Sequence, residues 1–324
     1  MDKERNKTIS WSEVLRKYGT VIGTVIMFII FSLVVDRFFT FRNLFMLLRQ
    51  MSMLTIIACG FTFVMAAGGF DMSIGNVTGL VSMIFTIVLV STSNFLLSFL
   101  IAIVVGLSVG LINAMLVAYI NLPDFIGTFA VGSVAYGIKM LLTKGNPIFI
   151  KNPPEIFTFI GQGYVGAVPF PVILMLAFLI ISIFILHKTK LGRRIYAIGG
   201  NTVASVYAGI NVKWYRMITF LVSGLSVSLA AIIMTSRLNS GQPLAGENFL
   251  LDVIAAVFLS TTMFGEGEPN AMGSFVGALI ISMLNNGLTM LNVPYYFQYI
   301  TKGMVVIAAV MLAVVMGQKL RVKF

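Results

Sequence analysis

The longest polar interruption after the N-terminus reads HKTKLGRRIYAIGGNTVASVYAGINVKWYR and extends from His187 to Arg216. It contains six Lys and Arg residues and no Asp or Glu, whereas the sequence around it is mostly apolar. Short loops that are rich in Lys and Arg remain on the cytoplasmic side of a membrane during insertion. The stretch therefore predicts a cytoplasmic loop over residues 187–216, which sets the orientation of the remaining chain.

The middle of this loop, from Asn201 to Ile210, is nearly uncharged and follows a Gly-Gly pair. Gly199 and Gly200 have the backbone freedom that a tight turn requires, and Asn201 or Thr202 can cap a short helix. Two basic flanks around a short uncharged helix indicate that residues 201–210 form a projecting helix that docks into a partner. The alternative is an ordinary cytoplasmic loop whose charges only set the topology, and charge alone favours that alternative.

The composition excludes a water-soluble globular protein. Of the 324 residues, 58% are hydrophobic and only 10% are charged, whereas a soluble domain carries about 25% charged residues. A helix needs about 20 apolar residues to cross the bilayer, and the chain has room for about ten such runs. A β-barrel would show short alternating segments instead. We therefore predict an all-α, multi-pass integral membrane protein with about ten transmembrane helices.

The predicted transmembrane helices cover residues 18–35, 44–67, 77–90, 95–119, 126–142, 171–186, 218–236, 253–264, 273–291 and 299–315. An even number of crossings places both termini in the cytoplasm. The predicted organisation is a cytoplasmic segment over residues 1–17, a single transmembrane domain over residues 18–317 with an external loop over residues 143–170, and a cytoplasmic tail over residues 318–324.

The net charge of +11 has a topological explanation. Five Lys and Arg residues lie in residues 1–17, six in the 187–216 loop and three in the last eight residues, and all three segments are predicted to be cytoplasmic. The same charge favours contact with anionic lipid headgroups. Because topology accounts for the charge, we expect no nucleic-acid partner.

The sequence offers no set of residues for catalysis or metal binding. Cys59 is the only cysteine, which excludes an intramolecular disulfide and a cysteine-rich metal site. His187 is the only histidine and lies at a predicted membrane boundary, where a structural role is favoured over a proton relay. No nucleophile or acid–base pair appears at a recognisable spacing, so we predict no catalytic, cofactor or metal site in this chain.

The second predicted helix leads into AAGGFDMSIGNVTGL, in which glycines surround Asp71. Irregular backbone at membrane depth survives only inside protein or beside water, so an acidic side chain there is a functional candidate. The alternative is a loop at the membrane interface in which Asp71 caps the third helix. The residues are equally compatible with both interpretations.

Two other predicted helices carry small or polar residues. Gly106, Gly110 and Ala114 form a ridge of small residues on the fourth helix, which would let another helix approach closely. Asn285 and Asn286 are adjacent amides on the ninth helix. Because two amides are costly in lipid, we expect them to face protein or a transport pathway.

The chain shows a faint internal symmetry. The second and seventh predicted helices each lead into a Gly-rich break with an acidic residue, GGFDMSIG at residues 68–75 and AGENFLLD at residues 245–252. The helix count gives the two halves opposite orientations. An inverted repeat with a pathway between its halves would fit this pattern.

Several blocks of the sequence occur in an order and at a spacing typical of one protein family. They are AGGFDMSIG at residues 67–75, LGRRIYAIGGN at 191–201, AGINV at 208–212, LDVIAAVFL at 251–259 and GALIISMLNNGLTMLNVPYYFQYITKG at 277–303. Together they resemble the permease subunits of bacterial ATP-binding-cassette importers, in the branch that carries ribose, galactose and autoinducer-2. The resemblance covers nearly the whole chain.

The resemblance implies a transport subunit of the bacterial cell membrane without an ATPase of its own, and the chain has no GxxxxGK[ST] phosphate loop. It implies a second permease chain, identical or different, two cytoplasmic ATPases that bind ATP and Mg, and an external solute-binding protein. It also makes residues 201–210 the coupling helix seated in the ATPase. The residues expected at that contact are Gly199, Gly200, Asn201, Thr202, Ala204, Ser205, Tyr207, Gly209 and Ile210.

The sequence departs from the family pattern in three places. Val206 and Tyr207 stand where an Arg is frequent, and Ser260 and Thr261 replace a Gly-Gly pair. Gly-Glu-Gly-Glu at residues 265–268 replaces a Gly-Gly-Lys-Gly turn. These changes leave the expected fold intact. They leave open which solute is carried and whether the partner permease is identical or different.

The resulting hypothesis is that closure of the ATPases is transmitted through residues 201–210. This movement switches a central pathway for a simple sugar or a related small polar solute between outside and inside access. Side chains that bind hydroxyl groups weakly suit such a pathway. The candidates are Asp71, Ser73, Asn76, Asn285 and Asn286. The alternative is a self-contained transporter or channel driven by an ion gradient, which requires intramembrane acids such as Asp71 and Asp252.

Overall fold

A computed structural model describes residues 11–263 and 267–321 of the chain. The predictions for residues 1–10, 264–266 and 322–324 lie outside the described residues. They concern the start of the N-terminal segment, the first part of the turn at residues 265–268, and the end of the tail.

The described part of the chain is almost entirely helical. The helices are α1 (Trp11–Val34), α2 (Phe41–Ala66), α3 (Ile74–Thr92), α4 (Phe95–Ala114), α5 (Asp124–Thr143), α6 (Glu155–Gln162), α7 (Phe170–Lys188), α8 (Lys190–Gly200), α9 (Thr202–Tyr207), α10 (Val212–Leu238), α11 (Asn248–Thr261), α12 (Ala271–Met290) and α13 (Tyr295–Arg321). A π-helical segment, Met115–Tyr119, continues α4. The two-residue strands are β1 (Ile148–Phe149), β2 (Tyr164–Val165), β3 (Val168–Pro169) and β4 (Ser240–Gly241).

Seven of the described helices are long and apolar enough to cross a membrane. They are α2, α3, α4 with its π-helical continuation, α5, α7, α10 and α12. The remaining predicted runs fall on α1, α11 and α13. The predicted fold class, an all-α membrane protein, is confirmed.

The centre of the bundle is α2, in which every residue from Met51 to Val64 is buried. α10 packs along α2, α3 and α4, and α12 packs against α2. By contrast, α4 and α7 leave apolar side chains exposed, among them Leu100, Val104 and Ile180. An apolar outer surface suits contact with lipid.

The ridge of small residues on α4 lies against α10. A Cβ atom on Gly106 would lie 2.5 Å from the carbonyl oxygen of Gly224, and one on Gly110 would lie 2.5 Å from that of Phe220. The predicted close helix contact is confirmed, and its partner is α10.

The stretch over residues 143–170, predicted to be an external loop, is well structured. It contains β1, α6, β2 and β3. β1 pairs antiparallel with β4, so that Ile148 lies opposite Gly241, and β2 pairs antiparallel with β3. The pairing of β1 with β4 attaches the loop to the chain that follows α10.

Candidate functional site

Residues 201–210 contain the short helix that the sequence predicts, α9. The Asn201 side chain caps it, because its Oδ1 accepts a hydrogen bond of 2.9 Å from the backbone N–H of Ala204. Gly209 follows the helix with a φ of +75°, a left-handed conformation that favours glycine. The predicted capped helix is confirmed.

α9 presents an apolar surface, here called the knob and defined by Val203, Val206 and Tyr207. Tyr207 is 88% exposed, and the two valines are more than half exposed. Ser205 faces inward and donates a hydrogen bond of 2.9 Å to the carbonyl of Asn201. Exposed apolar side chains grouped in this way are typical of a protein-docking surface.

The other residues expected at the coupling contact surround the knob. Those that are exposed are Gly199, Gly200, Asn201, Thr202, Ala204 and Gly209. Ile210 is half-buried.

The tight turn predicted at Gly199 and Gly200 is wrong, because both residues lie in the last turn of α8. A Cβ atom on Gly199 would overlap the carbonyl oxygen of Ala66, the last residue of α2, whereas nothing lies within 4 Å of a Cβ on Gly200. Gly199 is therefore required for the close approach of α8 to α2. The last turn of α8, which precedes the knob, therefore lies against the end of α2 and the chain break that follows it.

That break runs along the first turns of α5. The backbone N–H of Phe70 donates to Oδ2 of Asp124 at 3.1 Å, and that of Met72 donates to Oγ1 of Thr128 at 2.9 Å. Arg216 donates through Nη2 to both carboxylate oxygens of Asp124, at 3.1 and 3.2 Å. The break, the start of α5 and the start of α10 are thus joined through Asp124.

Asp71 lies at the centre of a buried polar cluster. Its Oδ1 accepts hydrogen bonds from the backbone N–H and the hydroxyl of Ser73, at 3.0 and 2.6 Å, and from Nδ2 of Asn113 at 3.3 Å. Its Oδ2 accepts from the hydroxyl of Ser223 at 2.8 Å. The carboxyl group therefore holds the start of α3 and joins it to α4 and α10.

The two breaks of the suggested repeat meet in space. A Cβ atom on Gly246 would overlap the carbonyl oxygen of Gly75, and one on Gly75 would lie 3.1 Å from that of Gly246. Farther along α3, a Cβ on Gly79 would lie 2.5 Å from the carbonyl oxygen of Pro243. The chain after β4 therefore runs beside α3 before α11 begins at Asn248.

A pocket of about 310 Å³ opens at this junction. It is lined by Met72, Gly75, Asn76, Tyr136, Glu247 and Leu250. The Lys139 side chain is buried beside the lining residues, and its Nζ lies 3.0 Å from Oδ1 of Asn76 and 3.2 Å from Oε1 of Glu247. The pocket thus combines an amide, a phenol and a salt-bridged carboxylate.

Asn285 and Asn286 bond to neighbouring helices. Nδ2 of Asn285 donates to Oδ2 of Asp252 at 3.0 Å, and Asp252 pairs with Nζ of Lys302 at 3.0 Å. Asn286 exchanges two hydrogen bonds of 3.0 Å with the amide of Asn43. Of the candidate pathway residues, Asn76 alone lines the pocket at the junction.

Tyr136 and Lys139 are not among the predicted pathway residues. The sequence does contain a signal for Lys139, because a lone ammonium group in a helix as apolar as α5 requires a partner. That partner, Glu247, lies 108 residues away along the chain, so a pattern of neighbouring residues does not identify it. Within residues 11–263 and 267–321, no group of three His, Cys, Asp or Glu residues is placed to hold a metal ion.

Comparison with known proteins agrees with the resemblance drawn from the sequence. A family model described as "Branched-chain amino acid transport system / permease component" matches residues 43–315. Ribose import permease protein RbsC of Bacillus subtilis is 38% identical over 94% of this chain and 95% of its own length. The Escherichia coli K12 protein of the same name is 36% identical, over 92% and 93%.

The D-allose transport system permease protein AlsC of Escherichia coli K12 is 33% identical over 91% of each chain. No solved structure matches the chain. Permeases of this kind are multi-pass membrane subunits of ATP-binding-cassette importers, in which the ATPase is a separate subunit. The chain belongs to the family of branched-chain amino acid transport system permease components.

Proposed function

We propose that this chain forms the translocation pathway for a simple sugar, ribose-like, or for a related small polar solute. The observation that carries the proposal is similarity over more than nine-tenths of the chain to permeases named for ribose and D-allose. The family description names branched-chain amino acids instead, whose aliphatic side chains require an apolar site. The amide, phenol and carboxylate of the pocket suit hydroxyl groups better.

The proposed partners are a second permease chain, identical or different, two cytoplasmic ATPases that bind ATP and Mg, and an external solute-binding protein. The knob is the proposed ATPase contact. Because Val203, Val206 and Tyr207 carry no charge, the matching ATPase surface is expected to be an apolar cleft.

The proposed topology has ten transmembrane segments, with α1, α11 and α13 added to the seven long apolar helices. It keeps residues 1–17, 187–216 and 318–324 in the cytoplasm, residues 143–170 outside, and residues 18–317 as one transmembrane domain. The contact between Gly75 and Gly246 supports an inverted repeat, since it brings the two breaks together.

Labelling of introduced cysteines tests this topology. The native Cys59 is buried, so a single new cysteine dominates the reaction with a membrane-impermeant maleimide. In intact cells we expect Lys151→Cys in the 143–170 loop to be labelled and Tyr207→Cys to be labelled only after the membrane is opened. Labelling of Tyr207→Cys from outside would contradict the orientation.

In the proposed mechanism, movement of the knob reaches the bundle through two contacts. α8 presses on the end of α2 where Gly199 meets Ala66. The break that follows is tied through Asp124 to the start of α5 and to Arg216 on α10. Displacement of the knob therefore shifts the cytoplasmic ends of α5 and α10 together, which alters access to the pathway.

Uptake into membrane vesicles tests the proposed function. Vesicles that contain the assembled complex, with ATP on the ATPase side, are supplied with the solute-binding protein and radiolabelled ribose or leucine. We expect ATP-dependent accumulation of ribose and none of leucine. Accumulation of leucine would contradict a sugar pathway, and ribose uptake by the chain alone under an imposed ion gradient would support the gradient-driven alternative.

A further inference from the structure

A buried ammonium group organises the pocket between α3, α5 and α11. The Lys139 side chain is 0% exposed, yet its Nζ contacts Oδ1 of Asn76, Oε1 of Glu247 and the face of the Tyr136 ring, whose centroid is 4.9 Å away. Loss of Glu247 would leave the buried Lys139 ammonium group without its counter-charge, a cost that keeps the pair together. Lys139 therefore fixes the other three side chains relative to one another.

Each of these three side chains also has a polar group that makes no hydrogen bond to the described residues. These groups are Nδ2 of Asn76, the hydroxyl of Tyr136 and Oε2 of Glu247. Tyr136 and Glu247 are exposed in the pocket lining. An amide nitrogen donates, a carboxylate oxygen accepts and a phenol does both, and this combination matches neighbouring sugar hydroxyls.

The remaining features of the pocket restrict the solute further. Because the charges of Lys139 and Glu247 cancel, the pocket has no surplus charge with which to bind an ionised solute. Met72, Leu250 and the Tyr136 ring supply apolar surface for the C–H face of a sugar ring. A volume of about 310 Å³ is at the lower end of ligand pockets, about 300–1,000 Å³, and suits a monosaccharide.

We propose that this pocket is a transient binding site for a neutral monosaccharide during its passage. Asn76, Tyr136 and Glu247 contact the hydroxyl groups, and Lys139 is a positioning residue. The inference rests on the proposed function, since it names the place at which the same solute is handled. Its few polar contacts suit a passage site, which must also release the solute.

Variants of Tyr136 test the site, because this ring lines the pocket on an exposed face of α5. The assembled complex in vesicles is given saturating sugar-loaded binding protein, and both sugar uptake and ATP hydrolysis are measured. We expect Tyr136→Leu to lower the sugar transported per ATP about tenfold, since it removes both ring and hydroxyl. Tyr136→Phe should lower it about threefold, the effect of one hydrogen bond.

Phe129→Leu is the matched control, because it removes an exposed aromatic ring from the same helix outside the pocket. It should transport as much sugar per ATP as the native complex. A native ratio in Tyr136→Leu would overturn the site. If Tyr136→Leu does not assemble, Tyr136→Phe is the deciding variant. A native value of sugar transported per ATP in Tyr136→Phe would then contradict the proposed site. Absence of sugar uptake by the native complex would instead count against the proposed function.

Discussion

Gly199→Ala is expected to uncouple ATP hydrolysis from transport, whereas Gly200→Ala, whose new Cβ atom would meet no atom of this chain within 4 Å, is expected to lower coupling far less. The new Cβ atom at Gly199 would overlap the carbonyl oxygen of Ala66, a backbone atom that cannot rotate away. Overpacking of this kind costs about 1–3 kcal/mol. A change of that size in the coupling free energy corresponds to a roughly 5–150-fold change in the coupled equilibrium constant. We therefore expect solute uptake per ATP hydrolysed by the assembled complex to fall by about tenfold or more.

The neighbouring glycine makes this a controlled comparison. Gly199 and Gly200 lie in the same turn of α8 and are both exposed, so the two substitutions have the same effect on helix propensity. They differ in that only Gly199 lies against α2. Native coupling in an assembled Gly199→Ala complex would show that movement of the knob does not pass through this contact.

Asp71→Ala is expected to destabilise the transmembrane bundle. Removal of the carboxyl group leaves the hydroxyl groups of Ser73 and Ser223 without their acceptor in a buried site, while Asn113 keeps only its hydrogen bond to Oγ of Ser73. An unsatisfied buried polar group costs about 1–3 kcal/mol. We expect a marked fall in the temperature at which the detergent-extracted protein loses its monodisperse size-exclusion peak.

Asp71→Asn separates the hydrogen bonds of this residue from its charge. The amide keeps an acceptor oxygen for Ser73 and offers an N–H to the hydroxyl of Ser223, so we expect near-native stability and uptake. A transporter that carries its coupling ion on Asp71 would lose transport with this variant. A stable Asp71→Asn protein that assembles but does not transport would therefore contradict the structural role of the cluster.

The sequence predicts the membrane helices and the short capped helix α9 because these features depend on neighbouring residues in the chain. A run of about 20 apolar residues is sufficient to indicate a membrane helix, and the cap at Asn201 depends on a residue three positions away. The tight turn at Gly199 fails for a different reason. Glycine permits both unusual backbone angles and close approach, and the sequence does not reveal that Ala66 is the neighbour.

The candidate pathway residues show the same limit. The cost of polar groups in lipid correctly marks Asp71, Asn285 and Asn286 as residues that require partners. Those partners lie far along the chain, as with Ser223, which is 152 residues from Asp71. A polar side chain that joins helices and one that lines a pocket have the same local sequence signature. Only the packing of α3 against α5 and α11 separates Asn76 from the others.

The most direct test of the central claim is to identify what this chain binds in its native membrane. The chain is tagged, extracted gently and analysed by mass spectrometry together with the proteins that accompany it. An importer permease is expected to retain an ATP-binding-cassette ATPase and a second permease, and the composition distinguishes an identical from a different partner. Repeated recovery without an ATPase, under conditions that preserve a control importer, would contradict the account.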